Sequence, residues 1–248
     1  MSEAPDEHDV LRRLLDRTQA VLFDFDGPVA DLFRGISTAP VADEIKDAVR
    51  GLWGALDQTV EDCDDSHGIL QRVRDMYDRR RWADPGREAL EAAERIVTEH
   101  EFDAVKSAIP ETYFADLVEA LQDLHLRLAI VSNNADGPIM EFLKCLGLQS
   151  KFDVVEGRDP REPRHMKPHP DSVNRALTQL ELSHLPSACL FIGDQLTDLE
   201  ASLDAGTRFI GYTRSTERAE EMRRRGADWV VSSHEPLLRA AQAPRNVN

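Results

Sequence analysis

Strand-length apolar runs alternating with helical patterns predict an α/β fold, a doubly wound parallel sheet, with one all-helical segment inserted into it. Three observations carry this expectation. Six short apolar runs recur along the chain, amphipathic stretches separate the later ones, and one long interval shows helical periodicity alone.

The first run, Ala20 to Phe25, is apolar at every position up to an aspartate and reads as a strand buried on both faces. From Leu32 to about Glu111 no convincing strand follows. Instead Ile45, Ala48, Val49, Leu52 and Leu56 form one apolar stripe. Ile69, Val73, Met76 and Tyr77 form a second, and Leu90, Ala93, Ile96 and Val97 a third. Asp84-Pro85-Gly86 and the acidic stretch Glu61 to Asp65 mark turns between them. A helix carried by Phe114, Leu117, Val118, Leu121 and Leu124 returns the chain to the sheet, whose next strand is Arg127 to Ser132. Ile139, Phe142, Leu143 and Leu146 then repeat at helical spacing, with Gly147 as the stop. Phe152 to Val155 is the third strand, followed by a helix with Val173, Ala176, Leu177 and Leu180 on one face. Ala188 to Gly193, Thr207 to Tyr212 and Trp229 to Ser232 complete the six, joined by right-handed crossovers. The division expected is a sheet domain over residues 1–32 and 112–248, with a helical domain over 33–111.

Composition limits the partners. With 46 acidic against 30 basic residues the chain carries a formal charge of −16, which opposes nucleic-acid binding. The same field repels anionic small molecules, so a phosphorylated ligand needs strong local positive charge. No run approaches the ~18 apolar residues of a membrane span, and the acidic start, Met1 to Asp9, is unlike a secretory signal. Cys63, Cys145 and Cys189 are far apart and form no CxxC pair, as expected of reduced, space-filling thiols in a cytoplasmic protein.

The chemistry is expected at the carboxyl ends of the strands, where open α/β sheets bind ligands. Asp24 and Asp26 close the first apolar run, where ionised carboxylates are costly without a compensating cation or substrate. Ser132-Asn133-Asn134 ends the second strand, Lys167-Pro168-His169-Pro170 precedes a helix, and Gly193-Asp194-Gln195-Leu196-Thr197-Asp198 ends the Cys189 to Ile192 run. Alone, the acids at 194 and 198 suit the first turn of a helix, Lys167 a surface position and Ser132 a helix start. Their order after Asp24 sets them apart.

On these motifs, Asp24-Phe25-Asp26-Gly27, Ser132, Lys167 and Gly193-Asp194-x-x-x-Asp198, the chain resembles the haloacid dehalogenase-like (HAD) hydrolases of phosphatase type, with a Rossmann-like core and a helical cap after the first strand. The resemblance implies a cytoplasmic phosphatase that hydrolyses a small phosphorylated metabolite, like phosphoglycolate or a sugar phosphate, through an aspartyl-phosphate. Asp24 is the implied nucleophile and Asp26 the general acid and base. Ser132 and Asn133 would bind the phosphoryl oxygens with Lys167. A carboxylate approaching a phosphate dianion meets repulsion of about 4 kcal/mol per charge pair at about 4 Å and an effective dielectric of about 20. Mg²⁺ on the side chains of Asp24 and Asp194 would cancel it. The resemblance adds the backbone carbonyl of Asp26 as a ligand and Asp198 as the residue orienting the metal's waters. Where the family commonly has Thr, this chain has Pro28, which lacks both hydroxyl and N–H.

A phosphomutase would use the same residues. A non-catalytic relative would be expected to have lost an acid or Lys167, and a dehalogenase has no need of Asp26. Phosphonoacetaldehyde hydrolysis needs a cap lysine, for which Lys46 is available. Glu61, Asp62, Asp64 and Asp65 do not fit a calcium loop, because Val73 stands where a bidentate Glu is required. Arg79-Arg80-Arg81, with Arg72 and Arg74, reads as a solvated helix surface rather than a second anion site. His165 and His169 flank Lys167 and suit either a substrate contact or a loop role.

Overall fold

The computed structural model describes residues 6–32, 37–80 and 86–243. In chain order its strands are β1 (Ala20–Phe23), β2 (Ala30–Asp31), β3 (Ile109–Pro110), β4 (Arg127–Val131), β5 (Val154–Glu156), β6 (Cys189–Gly193), β7 (Arg208–Tyr212) and β8 (Trp229–Val231). Its helices are α1 (Glu7–Asp16), α2 (Ala39–Trp53), α3 (Gln58–Glu61), α4 (Gly68–Arg80), α5 (Glu88–Val105), α6 (Phe114–Asp123), α7 (Asp136–Cys145), α8 (Asp171–Gln179), α9 (Leu196–Ala205), α10 (Thr216–Arg224) and α11 (Glu235–Gln242).

The six expected strands form one parallel sheet in the order β5-β4-β1-β6-β7-β8. β1 lies inside it, with Ala20 opposite both Arg127 and Cys189. Side chains alternate across a strand, so this fully buried run feeds both faces. Val21 and Phe23 join a cluster with Leu11, Phe114, Phe142 and Ile210. Ala20 and Leu22 join one with Val173, Phe191 and Phe209 on the other side. The Phe23 and Phe114 rings meet edge to face with centroids 5.5 Å apart. Helices therefore cover both faces, and every strand can end in a shared polar edge.

Helices α2, α4 and α5 gather around a third apolar cluster built on Ile45, Val49, Ile69, Val73, Met76, Ala93 and Ile96, the residues of the three stripes. Met166, beside Lys167, is buried in this cluster too. The interval from Leu32 to Glu111 is not purely helical, however. β3 lies within it and pairs antiparallel with β2, Ala30 opposite Pro110 and Asp31 opposite Ile109. The outgoing and returning connections run side by side at this point, and two residues are too few to show alternation in a sequence. Strand β1 also stops at Phe23, two residues short of the expected Phe25, so Asp24 sits just beyond it.

Helices α1, α10 and α11, which the apolar pattern did not single out, complete the layers. Cys63 and Cys189 are buried, but Cys145 is exposed and fills no space, because it falls on the outward side of α7 at its last turn. Arg81 and the Asp84-Pro85 part of the expected turn lie outside the described residues. No described helix is long and apolar enough to cross a membrane.

Candidate active site

The carboxyl ends of β1, β4, β6 and β7 open onto a cavity of about 420 Å³. Its lining includes Asp24, Asp26, Asn133, Lys167, Asp194 and Asp198. Lys167 is the hinge of the arrangement. Its ammonium lies 2.7 Å from Asp24 Oδ1 and 2.6 Å from Asp198 Oδ1, and it donates to the carbonyl of Val131 at 3.1 Å. These contacts use all three N–H bonds of a lysine. The Phe191 ring centroid is 5.3 Å from Nζ. Burial alone would lower the Lys167 pKa, but Asp198 and Asp24 hold it above the ordinary value.

Asn133 places this lysine by its backbone. The Asn133 Oδ1 accepts from the Lys167 N–H at 2.8 Å, and its Nδ2 donates to the Lys167 carbonyl at 3.2 Å. The side-chain amide of Asn133 is thus engaged by the protein. Ser132 is buried behind the cavity: its hydroxyl donates to Asn134 Oδ1 and accepts from the Asn134 N–H, both at 3.1 Å. The Nδ2 of Asn134 is buried without a partner among the described residues.

Asp24 Oδ1 accepts from the Phe25 N–H at 2.7 Å as well as from Lys167, and among the described residues no hydrogen bond engages Oδ2. Burial, reinforced by Asp198 and opposed by Lys167, pushes the Asp24 carboxyl from 3.8 up to about 7. Asp194 rises from 3.8 to about 8, first through burial and then through the charges of Asp24 and Asp198. Asp194 Oδ2 accepts from Gln195 Nε2 at 2.5 Å, while Oδ1 is buried with no partner among the described residues. Burial raises Asp26 as well, against the Leu32 N–H that donates to its Oδ1 at 2.8 Å.

Asp198 has both oxygens committed. Oδ1 faces Lys167, and Oδ2 accepts from the N–H groups of Asp194 and Gln195 at 3.1 and 2.9 Å, in the first turn of α9. Side-chain oxygens of Asp24, Asp194 and Asp198 all lie within 4.8 Å of one another. Three ionised acids and one ammonium would leave this spot negative, and burial together with the neighbouring acids raises two of them well above their usual range. Hard carboxylate oxygens, one of them orphaned, match a small divalent ion such as Mg²⁺.

Two glycines permit the close approach. Gly27 has φ +110°, and a Cβ there would lie 2.6 Å from Asp194 Cγ; at Gly193 a Cβ would lie 2.5 Å from Asp198 Cβ. Gly27→Ala should therefore push Asp194 aside and strain the turn. We expect a stability loss of about 1–3 kcal/mol by denaturant titration. A parental value would show that the two loops do not need this contact.

Other singled-out residues lie elsewhere. The Lys46 ammonium is paired with Asp43 and Asp64 at 3.0 and 3.3 Å and does not line the cavity, so a Schiff-base role has no support. Glu61 binds Arg50, Asp62 accepts from Gln58, and Asp65 accepts from the Gly68 N–H, which accounts for the acidic stretch locally. Arg79 and Arg80 pair with Asp57, Arg74 with Asp78, and Arg72 is exposed. The rings of His165 and His169 stack on each other at 4.9 Å outside the cavity.

Asp31, His67, Glu111, Tyr212, Thr213 and Arg214 also line the cavity, and the sequence motifs pointed to none of them as site residues. Tyr212 ends β7 and Thr213 and Arg214 follow it, so the strand-end rule applied to the other clusters would have found them. Pro28, the family departure, has its carbonyl bound by His234 Nε2 at 2.6 Å, and His234 stacks on Tyr212 at 4.7 Å.

A family model described as haloacid dehalogenase-like hydrolase matches residues 18–206. Phosphoglycolate phosphatase of Escherichia coli K12 is 29% identical over 136 residues, which are 55% of this chain and 52% of that protein, so the match spans about half the relative's length. A predicted phosphoglycolate phosphatase of Haemophilus somnus superposes with TM-score 0.60 at 18% identity, covering 91% of this chain and 99% of that one. A haloacid dehalogenase-like hydrolase of Bacteroides fragilis gives 0.62 at 20% identity, covering 87% and 97%. These two share the fold. The family match spans strands β1, β4, β5 and β6 of the sheet, the four convergent loops and the inserted helices together, and the chain belongs to the haloacid dehalogenase-like hydrolases.

Proposed function

We propose that this protein is a Mg²⁺-dependent phosphatase of a small phosphorylated metabolite, with Asp24 as the nucleophile. The observation that carries the reading is the Lys167 ammonium held at 2.7 and 2.6 Å between Asp24 and Asp198, beside the orphaned Asp194 Oδ1. Asp24 and Asp194 would hold the metal with the carbonyl of Asp26, and Asp198 would keep Lys167 and the 194–195 turn in place. Bound there, the ion supplies positive charge against which a phosphate and a carboxylate can approach.

The chain's own groups do the rest. Asp24, with Oδ1 tied to Lys167 and Phe25 N–H, presents Oδ2 to phosphorus and takes the phosphoryl group. Asp26, whose pKa burial raises, donates its proton to the departing ester oxygen and then takes one from the water that cleaves the aspartyl-phosphate. At the 132–134 loop the Asn134 Nδ2, which has no partner among the described residues, is available to a phosphoryl oxygen, with Ser132 acting from behind by fixing Asn134. The inserted helices act as a cap that keeps other water out. The relative from Escherichia coli, a phosphoglycolate phosphatase, supports a small phosphomonoester as the type of substrate. Phosphate release from a panel of phosphomonoesters is expected with Mg²⁺ and lost with EDTA. Release undiminished by EDTA rejects the metal requirement.

The pH dependence of metal binding follows from the two raised carboxyls. Folding without metal favours their protonated forms, so the stability they contribute is present below their ordinary value and lost as pH rises through about 7 and about 8. A divalent ion binds the ionised pair and reverses that loss. The rise in melting temperature caused by Mg²⁺ should grow from about pH 6 to about pH 9 and vanish near about pH 5. A shift of constant size across this range contradicts the ligand assignment.

A further inference from the structure

A buried charge network ties the cap to the loop after β4. Glu94, Thr98 and Glu101 lie on successive turns of α5 and close around Arg158, which follows β5 and is 5% exposed. Its Nε donates to the Glu94 carboxylate at 2.8 and 3.0 Å, Nη2 to Thr98 Oγ1 at 2.8 Å and Nη1 to Glu101 Oε1 at 2.5 Å. Glu101 is fully buried, and His67 Nε2 lies 3.0 Å from the same oxygen. Burial raises the Glu101 carboxyl, but the contacts with His67, Arg158 and the Ala135 N–H bring it below its ordinary value. A Cβ on Gly137 would lie 2.9 Å from Phe102, so α5 also packs closely on the start of α7.

The same two residues hold the loop peptide by peptide. Arg158 Nη1 donates to the Asn133 carbonyl at 3.2 Å, the Arg158 N–H donates to the Asn134 carbonyl at 3.0 Å, and Glu101 Oε2 accepts from the Ala135 N–H at 3.0 Å. Three consecutive residues are thereby fixed, one of them directly by the cap. Asn133 passes the constraint on, because its side-chain amide brackets the Lys167 backbone, accepting from the N–H at 2.8 Å and donating to the carbonyl at 3.2 Å. Lys167 in turn stands 2.7 and 2.6 Å from Asp24 and Asp198. Only Arg158 and Asn133 separate Glu101 on the cap from this lysine. Neither Glu101 nor Arg158 lines the cavity, so neither meets substrate. A buried ion pair contributes little net stability over apolar side chains of the same size, and what it adds here is a fixed geometry.

We propose that Glu101 and Arg158 are positioning residues of the active site, which clamp the loop at 133–135 and, through Asn133, set the place of Lys167. The end of the site that handles the phosphoryl group is then complete only with α5 docked on this loop. The kinetic consequence rests on the phosphatase reading, whereas the structural one rests on the hydrogen bonds alone.

Glu101→Gln keeps the shape of the side chain but cannot keep both of its bonds. Whichever way the amide turns, its NH₂ faces either the Arg158 guanidinium or the Ala135 N–H. Arg158→Lys retains the charge between the two carboxylates and replaces the fork by a single ammonium, which guards against a variant that merely fails to fold. In hydrogen exchange without substrate, each variant should speed the Lys167 N–H by about tenfold or more and leave Ile210 in β7 unchanged. With 4-nitrophenyl phosphate and glycerol 3-phosphate, kcat should fall by about 10–100-fold and by the same factor on both, since the displaced groups face the phosphoryl end. In an Asn133→Ala background, where the link to Lys167 is already cut, Glu101→Gln should cost less than about threefold. Parental Lys167 exchange in both folded variants overturns the assignment. So does an equal kcat cost with and without the Asn133 side chain, or a loss confined to one ester. A parent that releases no phosphate from either ester, or releases it equally well after Asp24→Asn, removes the phosphatase reading instead, and the exchange rates still decide whether the cap holds Lys167.

Discussion

Asp24→Asn should abolish phosphate release, lowering kcat by about 10⁴-fold or more, the scale seen when a covalent nucleophile is removed. An amide oxygen is a poor nucleophile, and the substitution also deletes one of the two carboxylates available to the metal, so Mg²⁺ should no longer raise the melting temperature. The same change should not harm the fold. The Asp24 carboxyl is driven up to about 7 by burial and by Asp198, so at neutral pH part of its charge is unwelcome in the metal-free protein. An asparagine can still accept from the Phe25 N–H and Lys167 through Oδ1, as Asp24 does at 2.7 Å in each case. Melting in metal-free buffer at about pH 8 is therefore expected at or above the parental temperature. A variant that melts normally and retains a tenth of parental kcat would exclude Asp24 as the nucleophile. One that loses activity only because it unfolds would exclude the electrostatic account of the site.

The sheet was legible because each strand is a short, almost uninterrupted apolar run. Ala20 to Phe23 is buried on both faces, as a central parallel strand covered by helices on each side must be. The convergence of Asp24, Lys167, Asp194 and Asp198 was legible from the same property, since parallel strands share the edge where their loops emerge. Ser132 shows the limit. Its place at a strand end was readable, but not that its hydroxyl turns to Asn134 while the side chain of Asn133 secures the backbone of Lys167. The β2–β3 ribbon was hidden because two residues carry no period. Arg158 was hidden for another reason. A lone arginine after a strand ordinarily reads as solvated, and its burial against Glu94 and Glu101 depends on how α5 is laid over residues 57 and more positions away. Such pairings across the two apolar clusters leave no local periodicity, and His67, brought to the cavity by the same docking, left no signal either.

Lys167→Met is expected to have the largest effect on stability. It removes the one ammonium between Asp24 and Asp198, leaving two buried carboxylates facing each other and the Val131 carbonyl without its donor. Breaking a buried ion pair from one side costs about 3–5 kcal/mol, because the remaining charge has neither water nor partner. The loss should deepen as pH rises, since each carboxylate that ionises adds to the repulsion, and acid should partly relieve it. Methionine fills the space along the Phe191 ring, so a cavity does not account for the change. Activity should fall by about 10³-fold, through loss of the charge beside the phosphoryl position. Combining Lys167→Met with Asp198→Asn separates the two effects. The second substitution removes one of the stranded charges and keeps an acceptor for the Asp194 and Gln195 N–H groups, so the double variant should recover most of the lost stability. It should recover none of the activity. If the single variant melts like the parent, Lys167 is not the electrostatic keystone of this site; if the double variant regains turnover, the ammonium acts on folding alone and the catalytic charge must come from elsewhere.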